Sequence, residues 1–202
     1  MDKGELSIEE IRHIAFRTSG QSHNIVLMAD RYGKLTSAKF GRAIGVIKNP
    51  HWIKIQRLRD DIFDPKNLDH VPAIRWGLDH ESVAIDEYQN MSGTILKPTG
   101  VCMFRNNIMG ASPDGLVYTD PHAVCAVGII EMKCPYSLRE VNVECNSKWH
   151  HHLPYLSCNI DLKKTQDYYH QIQGAMTAVG VEWCDVLIWT PSNVKVQRIY
   201  RE

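Results

Sequence analysis

The spacing of apolar residues predicts a group of helices in the first part of the chain. Ile8, Ile11 and Ile14 recur at helical spacing behind the capping box Ser7-x-x-Glu10, which predicts a helix to about residue 16. The same pattern predicts helices over 24–31, 39–47, 52–63 and 74–91. Thr36 or Ser37 can cap the helix over 39–47. The proline-containing stretch 64–72 predicts a loop.

The pattern then changes to strands. Apolar runs predict strands over 94–104, 108–118 and 123–133, with a tight turn at Asn106-Asn107 between the first two. A polar stretch, 140–160, predicts an irregular loop, and a long helix is expected over 161–179, ending at Gly180. Strands over 184–189 and 194–200 follow. The predicted class is therefore α/β (α+β), with a mixed central sheet flanked by helices and further helices at the N-terminus.

Composition narrows the class of protein. The 202 residues suit one domain, 44% of them are hydrophobic, and 23 basic residues balance 23 acidic ones. Zero net charge counts mildly against a nucleic-acid partner, unless positive and negative charges are segregated on the surface. No apolar run reaches the roughly 20 residues that cross a membrane. The N-terminus lacks the apolar core of a secretory signal, so a cytoplasmic or nuclear location is expected.

Cysteines and histidines form one cluster along the sequence: Cys145, His150-His151-His152 and Cys158. Its spacing matches no common zinc module, so two interpretations stay open, a structural zinc site and a histidine-rich exposed loop. Trp149 lies beside the histidines and is the best candidate among the tryptophans for contact with DNA.

Two short motifs indicate chemistry. Asp114 lies in the turn sequence Ser112-Pro113-Asp114-Gly115, and Glu131-Met132-Lys133 ends an apolar run. On a strand, Glu131 and Lys133 project to one face and Met132 to the other. A buried carboxylate needs a compensating cation. Two carboxylates beside an ammonium group suit a divalent metal that activates water against a phosphodiester, so the motifs predict a nuclease.

The sequences around these motifs extend the pattern. They are 110–117 (GASPDGLV), 131–136 (EMKCPY) and 168–174 (YYHQIQG), with 31–37 (RYGKLTS) and 77–81 (GLDHE) upstream. Together they resemble the lambda-phage exonuclease and viral alkaline-exonuclease family of the PD-(D/E)xK nuclease superfamily, over about residues 31 to 190. This resemblance implies a restriction-endonuclease-like core and a single nuclease domain, 1–202, with an N-terminal helical part, 1–72, and a catalytic core, 73–202.

The resemblance also implies a metal centre. Asp114, Glu131, the main-chain carbonyl of Met132 and Glu81 would hold Mg²⁺, with Mn²⁺ as a substitute. Lys133 beside the metal would orient or deprotonate the attacking water, because positive charge nearby and partial burial would lower its pKa.

The long helix carries two candidate glutamines. Gln171 and Gln173 are about 200° apart around the helix axis, so only one can face the site. The flanking residues favour Gln173 as the catalytic one, and Gln171 remains a candidate DNA-binding residue.

A phosphate site is implied as well. Relatives hold a DNA 5′ phosphate with an arginine and hydroxyl residues, which correspond here to Arg31, Thr36 or Ser37, and Ser112. One departure is present: the usual threonine-alanine-serine order reads Thr36-Ser37-Ala38 in this chain.

These expectations combine into a function. The chain is predicted to be a Mg²⁺-dependent 5′-to-3′ exonuclease that acts on double-stranded DNA ends and leaves 3′ single-stranded tails for recombination or viral DNA processing. Expected partners, by resemblance, are a single-strand annealing protein and further copies of the chain in a homotrimer. Two alternatives stay open: a structure- or sequence-selective endonuclease of the same fold, and a non-catalytic nucleic-acid-binding module.

Overall fold

The computed structural model describes residues 4–20, 25–66, 68, 70–141 and 148–202. Its helices are α1 Ile8–Arg17, α2 Ile25–Arg31, α3 Phe40–Lys48, α4 Trp52–Phe63, α5 Pro72–Ser92, α6 Trp149–His152 and α7 Asp167–Val179, with 3₁₀ turns at Ser37–Lys39 and Tyr136–Leu138. Its strands are β1 Leu35–Thr36, β2 Ile95–Lys97, β3 Cys102–Met103, β4 Met109–Ala111, β5 Gly115–Tyr118, β6 Gly128–Lys133, β7 Trp183–Thr190 and β8 Asn193–Tyr200.

The predicted N-terminal helices are confirmed, including the capping box on α1, in which Ser7 and Glu10 bind each other's backbone N–H groups. Residues 37–39 differ, because they form a 3₁₀ turn and the side chain of Thr36 makes no capping hydrogen bond. The long helix begins at Asp167 rather than near residue 161. Leu162 instead forms a β-bridge with Leu156 and donates its N–H to Gln197.

The strands form two sheets, and this differs from the predicted meander. One sheet has the order β2-β5-β6-β7-β8, and the other has the order β1-β4-β3. The predicted runs 94–104 and 108–118 are each divided between the two sheets. The breaks contain Pro98 and Pro113, which cannot donate to a strand ladder. The predicted turn is confirmed, because β3 and β4 pair antiparallel and Asn107 has a φ of 55°.

Helices cover both faces of the five-stranded sheet. On one face α7 packs Ile172 and Met176 against Ile129 of β6 and Val186 of β7. On the other face α5 packs Ala84 and Tyr88 against a second apolar cluster that includes Ile130, Met132, Leu187 and Trp189. The strand β6 therefore lies in the middle of a three-layer arrangement. The predicted mixed sheet flanked by helices is confirmed.

The N-terminal segment joins this core through the three-stranded sheet. Thr36 of β1 pairs with Gly110 of β4 in parallel, which carries the following Ser37 alongside the segment that leads to Ser112. Close contact continues on α7: a side chain in place of Gly174 would overlap the ring of Phe40 on α3. The elements that contain Ser37, Ser112 and α7 are therefore adjacent.

Trp149 does not contact solvent. It is fully buried in α6 and packs with Leu138, Leu153, Leu156 and Ile188. The hypothesis that Trp149 touches DNA is therefore wrong, because its large apolar ring fills a core. Cys145 lies outside the described residues, so the zinc hypothesis stays a prediction.

No helix among the described residues is long and apolar enough to cross a membrane.

Candidate active site

The predicted alternation along β6 is confirmed. The Nζ of Lys133 lies 2.6 Å from Oε1 of Glu131, on the face that α7 covers. Met132 points to the opposite face and packs in the cluster under α5. Glu131 is almost fully buried, at 2% exposure. A buried carboxylate and an ammonium group thus share the end of one strand.

Asp114 joins this pair from the segment between β4 and β5. Its Oδ2 accepts a hydrogen bond of 2.6 Å from the N–H of Met132. The antiparallel pairing of Gly115 with Ile130 brings the two segments together. Burial raises the pKa of Asp114 to about 8, and the negative charge of Glu131 contributes to this rise. Two acids in one site therefore compete for ionisation unless a cation neutralises them.

Gln171, not Gln173, faces these residues. The Nε2 of Gln171 donates to Oε1 of Glu131 at 2.5 Å. Gln173 donates instead to the carbonyl of Tyr200 and accepts from the N–H of Glu202. The expectation that Gln173 faces the site is wrong, because α7 meets β6 with the side of the helix that carries Gln171.

The protein groups around Lys133 favour its charged form. Burial opposes the charge, but the negative charges of Glu131 and Asp114 outweigh it and raise the pKa of Lys133 above its ordinary value. The expectation that a bound metal lowers this pKa stays a prediction.

Glu81 approaches the site from α5. It lines, with Asp114, Leu78 and Lys97, a cleft of about 390 Å³ between α5 and the strand β2. Its negative charge adds to the raised pKa of Asp114. It also contributes, after burial, to a pKa of about 11 for the Cys134 thiol. Glu81 therefore reaches the cleft that Asp114 also borders.

Asp114 and Glu131 supply oxygen donors of the kind that a divalent metal needs. Among the described residues, no three His, Cys, Asp or Glu side chains are grouped closely enough to hold an ion. The two carboxylates nevertheless lie at one strand end, where burial and the charge of Glu131 raise the pKa of Asp114. Carboxylates with a main-chain carbonyl suit Mg²⁺, which keeps several of its waters. The residues present fit such an ion.

The predicted phosphate residues lie on elements next to this centre. Arg31 ends α2, and its guanidinium is close enough to Asp114 and Glu131 for their charges to stabilise it, although burial lowers its pKa. Within the described residues, the Nε of Arg31 and the Oγ of Ser112 are buried without a hydrogen-bond partner. Thr36 and Ser37 are both buried. Two buried donors without partners are consistent with a site shaped for an anion.

Sequence reasoning missed two neighbours of the site, Tyr168 and Cys134. The Nζ of Lys133 lies 4.8 Å from the centre of the Tyr168 ring. Tyr168 is three residues before Gln171, and this spacing on one helix face was the available signal. Cys134 follows Lys133 directly, but its proximity to Glu81 depends on how α5 packs.

A mixed sheet with helices on both faces is the fold expected for a nuclease of the PD-(D/E)xK type. Residues 28–182 match the model of the YqaJ-like viral recombinase domain, and the chain belongs to this family. The predicted relationship to phage-type exonucleases is confirmed. No curated protein matches the chain.

Solved structures share the fold. The alkaline exonuclease LHK-Exo of Laribacter hongkongensis has 22% identity and a TM-score of 0.62, over 88% of this chain and 82% of that one. A phage-related exonuclease of Haemophilus somnus 129PT has 14% identity and a TM-score of 0.58, over 87% and 88%. The protein of a SOX-DNA complex has 13% identity and a TM-score of 0.57, over 92% of this chain and 60% of that one. The predicted class, a nuclease, agrees with both the family and these structures.

Proposed function

We propose that this protein is a divalent-metal-dependent deoxyribonuclease that digests double-stranded DNA from its ends in the 5′-to-3′ direction. One observation carries the proposal: Asp114, Glu131, Lys133 and Gln171 come from three separate parts of the chain and meet at the end of β6. Carboxylates that can bind a metal, together with an ammonium and an amide donor, can stabilise the charge that develops in phosphodiester hydrolysis.

The metal ligands in this proposal are Asp114, Glu131 and the carbonyl of Met132, with Glu81 available on the far side of the cleft. Mg²⁺ is the expected ion, and Mn²⁺ the expected substitute, because all the donors are oxygen atoms. When bound, the ion supplies positive charge at the phosphate and acidifies water.

Lys133 and Gln171 serve a positioning role. Both donate to the same oxygen of Glu131, which fixes the direction of its carboxylate. Lys133, held on Glu131, acts as a hydrogen-bond donor toward water and phosphate. In hydrolysis, the water oxygen bonds to phosphorus and the water gives up one proton. The bond from phosphorus to the 3′ oxygen breaks, and that oxygen gains a proton. The product is a nucleotide with a 5′ phosphate.

The direction of digestion rests on Arg31 and Ser112. Their buried donors can hold a terminal 5′ phosphate one nucleotide away from the bond that is cleaved, with Thr36 or Ser37 as further hydroxyl donors. Related folds have been solved with dAMP (LHK-Exo) and with DNA or RNA (SOX), which supports a nucleic-acid substrate here.

The test uses linear duplexes labelled at either the 5′ or the 3′ end, with and without a 5′ phosphate, in Mg²⁺ and then in EDTA. We expect release of 5′-labelled mononucleotides in Mg²⁺, faster from phosphorylated ends, and no release in EDTA. Preferential release of the 3′ label would contradict the direction. Cleavage of a covalently closed circle would favour the endonuclease alternative. Binding without digestion would favour the non-catalytic module.

Arg31→Lys isolates the phosphate contact, because an ammonium group keeps the charge and loses the guanidinium fork. We expect the preference for phosphorylated ends to fall about tenfold, the loss of one to two charge-assisted hydrogen bonds. Arg42→Lys is the matched control, since Arg42 forms an ion pair with Asp61 at the surface of α3 and α4. An equal loss of preference in both variants would contradict the assignment.

The homotrimer, the annealing partner and the cytoplasmic or nuclear location stay predictions. Sedimentation of the purified protein, with and without duplex DNA, tests the first of them.

A further inference from the structure

A lysine that directs chemistry must be held in one place, and the Lys133 side chain is long. Its four-carbon stem loses considerable rotamer entropy when it is fixed. The side chain is 22% exposed, so part of it borders the open site. Glu131 holds it on one side through the contact of 2.6 Å. A second contact is therefore needed to fix the ammonium group in direction as well as distance.

The ring of Tyr168 supplies this second contact. The Nζ of Lys133 lies 4.8 Å from the ring centre, within the reach of about 6 Å for a cation–π interaction. Tyr168 is one helical turn before Gln171 on α7. One face of the helix thus provides the ring on Lys133 and the amide on Glu131.

Tyr168 is itself supported from behind. The ring of Tyr155 meets it edge-on, with the ring centres 4.9 Å apart and the planes at 88°. Tyr155 packs in turn against the apolar cluster around Leu156 and Ile160. The orientation of Tyr168 is therefore fixed by the protein core and does not depend on substrate.

The space between these groups is too small for substrate. Glu131, Lys133, Tyr155 and Tyr168 border a cavity of about 10 Å³. Such a volume holds at most about one water molecule. Tyr168 therefore contacts Lys133 from the protein side.

We infer that Tyr168 is a positioning residue, whose ring face holds the Lys133 ammonium group in line with Glu131. This inference rests on the proposed function, since it assigns Tyr168 a role through Lys133. The contact requires the electron-rich face of the ring and does not require the hydroxyl group. Tyr168→Phe should therefore keep most of the activity, and Tyr168→Leu should lose it through kcat.

Fluorination separates this role from simple packing. Phenylalanine and its mono-, di- and trifluorinated forms at position 168 have nearly the same shape, but each fluorine weakens the negative ring face. We expect kcat for duplex digestion to fall stepwise, by about 2- to 30-fold in total, which is the range for a lost cation–π contact. The KM for DNA ends and the melting temperature should stay constant.

Tyr169 is the matched control. The Nζ of Lys164 lies 5.8 Å from its ring centre, but Lys164 is paired with Glu202 at the surface, away from the site. The same fluorinated series at position 169 should leave kcat unchanged. Equal kcat values across the series at position 168, or equal declines at both positions, would overturn the inference.

Lys133→Ala is measured in parallel. Full activity of Lys133→Ala would overturn both the proposed mechanism and the role of Tyr168. An inactive Lys133→Ala protein with a flat series at position 168 would overturn the role of Tyr168 alone.

Discussion

Two buried carboxylates lie on adjacent parallel strands of the central sheet, and their surroundings differ. Glu131 on β6 is 2% exposed, and Asp185 on β7 is 4% exposed. Asp185 pairs in register with Ile130 and contacts Tyr88 on α5, so it faces the opposite side of the sheet from Glu131. The two acids have similar burial but different partners.

Asp185 has a complete set of partners. Arg198 donates to both of its oxygens at 2.8 Å, and the hydroxyl group of Tyr88 donates at 2.7 Å. The guanidinium of Arg198 also stacks on Trp183. Because the charge is matched and both oxygens are bonded, this acid stabilises the fold.

Glu131 has a different set of partners. Lys133 and Gln171 both bind its Oε1, and the charge of a second acid, Asp114, also acts on Lys133. Arg31 lies close enough for the charges of both acids to stabilise its guanidinium. Similar burial therefore accompanies different partners, and the proposed function assigns Glu131 to catalysis whereas Asp185 stabilises the fold.

The largest expected effect is the loss of activity in Glu131→Gln. The variant loses the charge of a proposed metal ligand, and we expect duplex digestion to fall at least about 10³-fold. The free energy of unfolding should change by less than about 1 kcal/mol, because removing one acid also relieves its repulsion of Asp114. A nuclease assay and urea denaturation measure the two quantities. A large loss of stability with retained activity would show that Glu131 stabilises the fold and is not needed for digestion.

Asp185→Asn should give the opposite pattern. It removes the charge that Arg198 and Tyr88 bind, and we expect a loss of about 2–3 kcal/mol in the free energy of unfolding. The loss stays below that of a fully buried pair, because the side chain of Arg198 is 44% exposed and can be hydrated. Activity per folded molecule should remain within about twofold, since the side chain faces away from the site. Urea denaturation and digestion rates at low temperature test both parts.

The two glutamines of α7 test whether the orientation of Glu131 matters for activity. Gln171→Ala removes a donor to Glu131, and we expect activity to fall about 10- to 100-fold, as for other groups that orient a metal ligand. Gln173→Ala is the matched control on the same helix. It removes the side-chain contacts with Tyr200 and Glu202, which lie away from Glu131, so activity should change less than about twofold. Equal effects of the two variants would contradict the geometry.

Much of this molecule could be predicted from local sequence. The helices follow from apolar spacing and the capping box, and the shared face of Glu131 and Lys133 follows from strand alternation alone. The two sheets were not predicted, because the effect of Pro98 and Pro113 depends on which strands become neighbours. The choice between Gln171 and Gln173 needed tertiary information. Both flank the buried stripe formed by Tyr169, Ile172 and Met176, and only packing on β6 shows which side borders the site.

The charge state of Lys133 was also beyond local sequence. Its pKa depends on the balance between burial and two acids, one of which is 19 positions away. The cation–π contact with Tyr168 also depends on tertiary packing, because it joins β6 to α7. Local patterns thus identify the groups, whereas their electrostatic balance depends on the assembled fold.

The smallest expected effect is a loss of stability at alkaline pH, caused by the titration of Tyr88, which binds Asp185. Burial raises the pKa of Tyr88 to about 12, and the hydrogen bond and charge of Asp185 contribute. An unfolded tyrosine titrates near 10, so the folded state binds this proton more tightly. The stabilisation is complete below pH 10 and is lost as the pH rises toward 12. By pH 11 the loss should be about 1 kcal/mol.

Tyr88→Phe cannot titrate, so the difference in unfolding free energy between wild type and variant should shrink over this range. Urea denaturation at several values from pH 8 to 11 measures it, and the other tyrosines cancel in the comparison. A constant difference would show that folding does not raise the pKa of Tyr88.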